Sequence, residues 1–349
     1  MTMTSMSVVH RAGISTVSST AAATRYTRYV LALQYNGSNF YGCSYQPEST
    51  GYRTVEGDIR TAIAKTCVDF QNVQISSRTD RGVHALCNTM HVDIASCSKT
   101  AYEFVKDPNR LRRAINFHLN KSCDHQTKRE HGLARRYHER KDLRVINADL
   151  APKEHAYPKH NYEIYPWHAR HTALKRTYEY RIVITTLGQH ADGLWLPFVH
   201  DRAWIINDHR NLLSLSKLQE ASECLIGTHD FSSFQSKGCS RSSPVTTLYD
   251  FEIREKPYIG YDSKLLTIRI SGRSFLYKQV RNMVGSLIMG VGFGKLDVVG
   301  FREILESRKR TSGSFYCAPA HGLYLINVNH DGFAFDHKIM YDNVDPVVL

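Results

Sequence analysis

A mixed α+β fold with two similar halves is predicted by the order in which strand-like and helix-like segments follow one another. The 349 residues suffice for two domains or one large one, and 42% of them are apolar, which allows ordinary hydrophobic cores. Each half combines β-branched, alternating stretches with stretches that carry apolar residues at helical spacing. The repeated order indicates an internal duplication.

The first half predicts the order strand, helix, two strands, helix and strand. Ile59 and Ile63 lie at helical spacing, which predicts a helix packed on one face of a sheet. Asp107 suits an N-cap and Pro108 suits the first helical position, so a second helix begins there. The predicted segments are a strand over 29–35, a helix over 54–68, a strand pair over 75–94, the helix from Asp107 and a strand at 143–146.

The second half repeats this alternation. Val280, Met283 and Val284 begin an apolar helical stripe, and Arg281 lies at its edge. The glycines at 290–294 end that helix instead of following a strand, so they do not form a nucleotide-binding loop. The predicted segments are a long strand over 172–185, a helix over 212–226, strands at 248–253 and 265–270, a helix over 278–291 and a closing strand over 322–328.

Composition favours a polyanionic partner. The net charge is +12 and the pI is near 9.3, and basic surfaces attract phosphates. Membrane headgroups or plain solubility would fit that charge too. No run of eighteen apolar residues exists, which argues against a membrane-spanning helix and a membrane partner. The eight cysteines are scattered singly, so we interpret them as reduced thiols without a zinc or disulfide pattern.

Two segments lie outside this repeating plan. Residues 1–25 lack acidic side chains and are rich in Ser and Thr, which is typical of a mitochondrial targeting segment or of a disordered tail. Residues 121–141 are rich in Lys, Arg and His and form either a solvated insertion or an extra phosphate contact. We therefore predict an N-terminal domain over 26–165, a C-terminal domain over 166–335 and a tail over 336–349.

A tight loop between two strands presents a carboxylate at Asp80. Gly82 supplies the positive φ that such a loop needs, and Arg78 and Arg81 flank the acid. Neighbouring positive charge favours an ionised carboxylate that can act as nucleophile or base. An ordinary Asp-x-Gly turn is the alternative.

The motif around Asp80 resembles the signature of the TruA family of tRNA pseudouridine synthases. Further blocks match in the family's order, from about residue 29 to residue 330. The matching stretches are Ser77-Arg78-Thr79-Asp80-Arg81-Gly82-Val83-His84-Ala85, Tyr35-Asn36-Gly37, Lys175-Arg176-Thr177-Tyr178, Gly227-Thr228-His229-Asp230-Phe231, Val280-Arg281-Asn282-Met283-Val284-Gly285 and His321-Gly322-Leu323-Tyr324-Leu325.

The resemblance implies an isomerase that converts uridine to pseudouridine in structured RNA, with tRNA as the expected partner and no cofactor or metal. It assigns catalysis to Asp80, which would attack C1′ or the base or abstract a sugar proton. It assigns base stacking to Tyr178, with the C5 proton as a further task, and the orientation of Asp80 to Arg281. Arg78 would stabilise the space around the flipped nucleotide, and Leu323 would pack near the base. The implied architecture is two ferredoxin-like α/β domains whose antiparallel sheets form a central catalytic cleft.

Departures from the family pattern leave these assignments in place. Ser77 stands where many members have Gly, Arg81 where bacterial members have Ala, and His321 where Glu is common. The residues of these motifs are most similar to those of the animal, mitochondrial-type branch of the family. This similarity predicts a mitochondrial location, with cytoplasm or nucleus as the alternative. Homodimerisation, usual in bacterial members, is left open.

Two other functions compete with catalysis. A non-catalytic RNA-binding or RNA-folding protein would use the same basic cleft without turnover, and a basic structural component of a ribonucleoprotein would not depend on Asp80. The presence of Asp80, Tyr178 and Arg281 together favours the enzyme.

Overall fold

The computed structural model describes residues 25–66, 69–96, 98–121, 141–156, 164–186, 199–258, 263–309 and 316–335. The segment 1–24, most of the basic insertion and the tail from 336 therefore lie outside the described residues.

Twelve strands and six helices form in the described ranges. The strands are β1 Tyr26–Tyr35, β2 Phe70–Ile75, β3 His84–Ala95, β4 Leu143–Leu150, β5 His155–Ala156, β6 Ile164–Tyr165, β7 Ala173–Thr185, β8 Trp204–Asn207, β9 Gly227–Asp230, β10 Val245–Tyr258, β11 Ser263–Gly272 and β12 Leu323–His330. The helices are α1 Val55–Ala64, α2 Lys99–Lys106, α3 Pro108–Lys121, α4 Leu215–Glu223, α5 Gln279–Ser286, which continues as a π-helical turn over Leu287–Gly292, and α6 Val298–Ser307.

One large sheet runs through both halves. Its ten strands follow the order β4-β1-β3-β12-β7-β11-β10-β9, with β2 added on β3 and β8 on β7. Most pairs are antiparallel, and the exceptions are β12 with β3 and β7 with β8. Strand β12 pairs with β7 over most of its length and meets β3 through two residue pairs. The last strand of the described chain therefore joins the two halves.

Helices α1, α3, α4 and α5 pack on the sheet through one continuous hydrophobic core. Along β1, Leu31 and Leu33 belong to this core, whereas Val30 and Ala32 face a smaller cluster around Trp167 on the other side. Both faces of the central strands are therefore covered. Of the helices formed by the described residues, none combines the length and apolar character needed to cross a membrane.

Local signals explain where several elements begin. Thr54 accepts a hydrogen bond from the Gly57 N–H and caps α1, and Asp107 Oδ1 accepts one from the Asn109 N–H at the start of α3. The predicted α+β class is confirmed, while α2 and α6 were not predicted. The helix expected over 212–226 is shorter, and that over 278–291 changes from α to π geometry within its length.

Candidate active site

A cleft of about 1370 Å³ lies between the β2–β3 loop and the elements of the second half. All five side chains that the sequence assigns to the site line it: Arg78, Asp80, Tyr178, Arg281 and Leu323. Arg78 and Leu323, the first and the last of these residues in the sequence, are 245 residues apart. The fold therefore brings together the residues that the family resemblance selects.

The loop over 76–83 holds Asp80 in a fixed turn. The Val83 N–H donates to the Asp80 carbonyl at 3.1 Å, and Gly82 has the predicted positive φ, 80°. Cys43 clamps the loop from the side, since its N–H donates to the Thr79 carbonyl and its Sγ accepts from the Thr79 N–H. The backbone of this turn is thus positioned before any substrate arrives.

Asn88 supports the same loop from below. Its Nδ2 donates to the Ser77 carbonyl at 2.8 Å and to the Tyr35 hydroxyl at 3.1 Å, and Tyr35 in turn bonds to Thr79 Oγ1 at 2.9 Å. Burial raises the pKa of Tyr35 well above its usual value, so its hydroxyl keeps its proton. Asn88 and Tyr35 are positioning residues for which the sequence predicted no role, although Tyr35 lies in a matching stretch.

Arg281 on α5 forms an ion pair with Asp80. Its Nη1 donates to Asp80 Oδ2 at 3.2 Å, and its Nε donates to the Ala318 carbonyl at 2.7 Å. The bond to the Ala318 carbonyl holds the guanidinium in place. The guanidinium in turn orients the Asp80 carboxylate through the bond from Nη1. The Asp80 side chain remains 24% exposed, and within the described part of the chain no donor reaches its Oδ1. One carboxylate oxygen is therefore oriented by Arg281, and the side chain stays partly accessible in the lining of the cleft.

Tyr178 forms part of the cleft wall on β7. Its hydroxyl bonds to Ser77 Oγ at 2.9 Å, and its ring meets Phe275 edge-on with centroids 5.1 Å apart. Burial raises the pKa of Tyr178 to about 12. The phenol is therefore neutral at ordinary pH, and its edge-on contact with Phe275 places the ring in the packed wall of the cleft.

Arg78 and Leu323 lie at the rim and the wall of the same cleft. Arg78 is exposed, and its Nη2 donates to Ser240 Oγ at 2.8 Å, across from its own loop. Leu323 is buried as the first residue of β12 and is paired with Tyr180.

Positive charge dominates the lining of the cleft. The basic side chains are Arg78, Arg81, Arg170, Arg176, Arg241, Arg273, Lys278 and Arg281, and the acidic ones are Asp80 and Asp331. Such a surface suits a phosphate backbone.

Arg176 is a buried cation that hydrogen-bonds only to carbonyl groups among the described residues. Its guanidinium donates to the carbonyls of Ala173, Arg273, Ser76 and Arg170, at 2.6 to 3.4 Å. Burial lowers its pKa from the ordinary arginine value. The bond to Ser76 ties β7 to the Asp80 loop across the two halves. Arg176 lies in one of the stretches that match the family, but no role was predicted for its side chain, because its partners are main-chain groups.

Replacing Arg176 with methionine should destabilise the fold by about 3 kcal/mol or more, since several buried carbonyls would lose a charged donor. Urea unfolding would measure the free energy of unfolding. Arg254→Met provides the control, because the Arg254 side chain is 70% exposed and should change stability by less than about 0.5 kcal/mol. Equal stability of the Arg176 variant and the wild type would contradict the structural role.

Two buried histidines should make stability depend on pH. His84 Nδ1 accepts from the Gly37 N–H and His91 Nδ1 from the Ala169 N–H, so protonation of either ring breaks a bond. Burial lowers the pKa of His84 to about 4 and that of His91 to about 3. Below the ordinary histidine pKa of about 6.5 the unfolded chain binds protons that the folded chain does not, so stability falls as the pH falls from there towards 4.

The expected loss is about 3 kcal/mol for each ring at the acid end of that range. Urea unfolding at pH 6.5, 5.5 and 4.5 should give a shallower dependence for His84→Gln than for the wild type. His209→Gln, at an exposed position, should keep the wild-type slope. If the free energy of unfolding changes equally with pH in all three proteins, His84 does not contribute to the pH dependence of stability.

No metal centre accompanies these groups within the described ranges, where no set of three His, Cys, Asp or Glu side chains could hold an ion. The site therefore consists of a carboxylate, a guanidinium partner, a buried phenol and a basic lining. These features define a class of α+β protein with a pre-organised acidic group in a cleft suited to a polyanion.

Comparison with known proteins identifies the family. Residues 221–331 match the family model described as tRNA pseudouridine synthase. The tRNA pseudouridine synthase A of Afipia carboxidovorans is 30% identical over 303 residues, which cover 87% of this chain and 99% of the relative. That of Rhodopseudomonas palustris is 31% identical over 303 residues, with the same coverage of 87% and 99%. That of Maridesulfovibrio salexigens is 29% identical over 301 residues, covering 86% and 89%. The chain belongs to the TruA family of tRNA pseudouridine synthases, and the resemblance seen in the sequence is confirmed.

Proposed function

We propose that the protein is a pseudouridine synthase that isomerises uridine in tRNA. The observation that carries this proposal is the Asp80–Arg281 pair in the lining of the cleft, which holds one carboxylate oxygen at 3.2 Å from the guanidinium, while no described donor bonds to the other. The reaction breaks the bond between C1′ and N1, turns the freed uracil and joins C1′ to C5. The C5 proton is lost and N1 gains one, so there is no net oxidation or reduction and no external energy source.

The target base must leave its stack before Asp80 can reach it. Extrusion costs a few kcal/mol, which phosphate contacts and new packing can offset. We assign the phosphate contacts to the basic lining, including Arg78, and the packing around the base to Tyr178 and Leu323. An ionised Asp80 can attack C1′, attack the base or remove a sugar proton, and Arg281 orients it for any of these steps.

We further propose a subdivision, a location and an assembly for the chain. The halves 26–165 and 166–335 would each be a ferredoxin-like unit, with their parts of the common sheet forming the floor of the cleft. Residues 1–25 would direct the chain to mitochondria, and a homodimer would resemble the assembly usual in bacterial members. Import of the intact chain into isolated mitochondria, compared with a chain lacking 1–25, tests the targeting proposal.

The central test uses tRNA transcripts labelled with tritium at C5 of uridine. The purified protein should release tritium to water and leave pseudouridine in a nuclease digest of the RNA. RNA binding should be measured in the same samples. Binding without tritium release across a complete set of transcripts would instead favour the RNA-binding or RNA-folding protein.

A further inference from the structure

A three-layer stack of side chains stands at the rim of the cleft beside Asp80. The Arg81 guanidinium lies 4.0 Å from the centroid of the Tyr41 ring, and Tyr41 stacks on Tyr52 with centroids 4.1 Å apart and ring planes within 8°. One ring face cannot hold both partners at these distances, so Arg81 and Tyr52 lie on opposite faces of Tyr41. The order of the stack is therefore guanidinium, phenol, phenol.

The stack is held in place by interactions beneath it. The Tyr41 N–H donates to the Arg53 carbonyl at 2.9 Å, which couples the two segments that carry the rings. The Arg53 guanidinium forms two bonds with Asp142, at 2.6 and 2.9 Å, and further bonds with Asp58. These ion pairs keep the pKa of Arg53 above its usual value. Arg53 directly follows Tyr52, so these bonds anchor the segment that carries the lower ring of the stack.

Its top layer is open to the cleft. Arg81 and Tyr41 both line the cleft, Arg81 is exposed, and the described residues include no carboxylate paired with it. Tyr41 and Tyr52 are 42% and 51% exposed, an arrangement that buries little apolar surface for the fold itself. Planar guanidinium groups and aromatic rings are the surfaces on which unpaired RNA bases stack.

We propose that Arg81, backed by Tyr41 and Tyr52, is the stacking site for an unpaired RNA base next to the reactive uridine. The proposal rests on the proposed function, since it takes Asp80 as the point where the flipped uridine lies. Arg81 follows Asp80 directly, so a nucleotide adjoining that uridine comes within reach of its guanidinium. Removal of the uridine from the helix leaves this neighbour without a stacking partner, and the side-chain stack replaces it.

The test measures affinity by fluorescence anisotropy at fixed salt. The probes are a stem–loop RNA with a single loop uridine and two copies that carry an abasic nucleotide on its 5′ or 3′ side. Loss of the stacked base should weaken binding to the wild type about 5- to 150-fold in one of the two abasic RNAs. Arg81→Ala should bind the parent RNA correspondingly more weakly and should not distinguish it from the abasic RNAs.

Arg81→Lys separates stacking from charge, because it keeps the charge and loses the planar fork. It should also fail to distinguish the RNAs. Tyr102→Ala is the matched control, since Tyr102 carries Lys106 over its ring at 4.5 Å but lies on α2, outside the cleft lining, and this variant should keep the full discrimination. Thermal unfolding checks that each variant is folded.

Two outcomes overturn the stacking site. If the wild-type protein binds the parent and abasic RNAs equally, no base stacks at this site. If Arg81→Lys keeps the wild-type affinity and discrimination, Arg81 acts through its charge as a phosphate contact. The proposed function fails separately, by the absence of pseudouridine, whatever the binding pattern. Pseudouridine formation together with equal binding of all three RNAs would leave the enzyme standing and remove only the stacking site.

Discussion

Asp80→Ala should lower the rate of pseudouridine formation by a factor of at least ~1000 while RNA binding changes little. Asp80 is the acidic side chain of the cleft lining that is paired with Arg281, and no described donor bonds to its Oδ1. The basic lining that holds the RNA remains intact in this variant. Single-turnover conversion of a tRNA transcript would measure the chemical step, and a filter-binding assay would measure affinity.

Two further variants show whether the charge of Asp80 is what matters. Asp80→Asn keeps the shape of the side chain and loses its charge, so it should be as inactive as the alanine variant. Asp331→Asn removes the charge of the other acid that lines the cleft and should react at close to the wild-type rate. Turnover by Asp80→Ala within tenfold of the wild type would show that another group starts the reaction.

The sequence predicted those parts of the fold whose signals are local. Thr54 and Asp107 cap helices whose apolar residues recur at the right spacing, and α1 and α3 begin at these positions. Helix α6 was missed although Asp297 caps it by accepting from the Gly300 N–H, because the glycines before it indicated only the end of a helix. The common sheet was not predictable, since β12 pairs with β7 across 143 to 157 residues of sequence and with β3 across 240.

The same distinction holds for the site. The turn at Asp80 has its own signal in Gly82. The contact between Asp80 and Arg281 was predicted from the family resemblance and from the position of this arginine at the edge of the apolar stripe of its helix. Asn88 had no comparable signal, and Arg176 lay in a matching stretch without any indication of what its side chain does. Arg176 bonds to carbonyl groups, and Asn88 bonds to the Ser77 carbonyl, the Thr89 N–H and the hydroxyls of Tyr35 and Ser76. No charged partner therefore marks either residue in the sequence.

Gly285→Ala tests whether close packing behind α5 positions Arg281. A Cβ at Gly285 would lie 1.7 Å from the carbonyl oxygen of Tyr316 and 2.8 Å from the Ala318 nitrogen. Both are backbone atoms and cannot turn aside, so the chain at 316–318 must move away from the helix. We expect a loss of about 3 kcal/mol or more in the free energy of unfolding, measured by urea denaturation.

The same movement should reduce activity. The Ala318 N–H donates to the Arg281 carbonyl at 3.0 Å, and the Ala318 carbonyl accepts from Arg281 Nε at 2.7 Å, so displacement of this segment releases the guanidinium that orients Asp80. Single-turnover rates at a temperature where the variant is still folded should therefore fall, with RNA affinity affected less. Gly300→Ala on α6 is the control, because its Cβ would meet only side-chain atoms at 3.1 Å and beyond. A Gly285→Ala protein with wild-type stability and rate would mean that the 316–318 segment can shift without moving Arg281, and that the guanidinium is held by Asp80 alone.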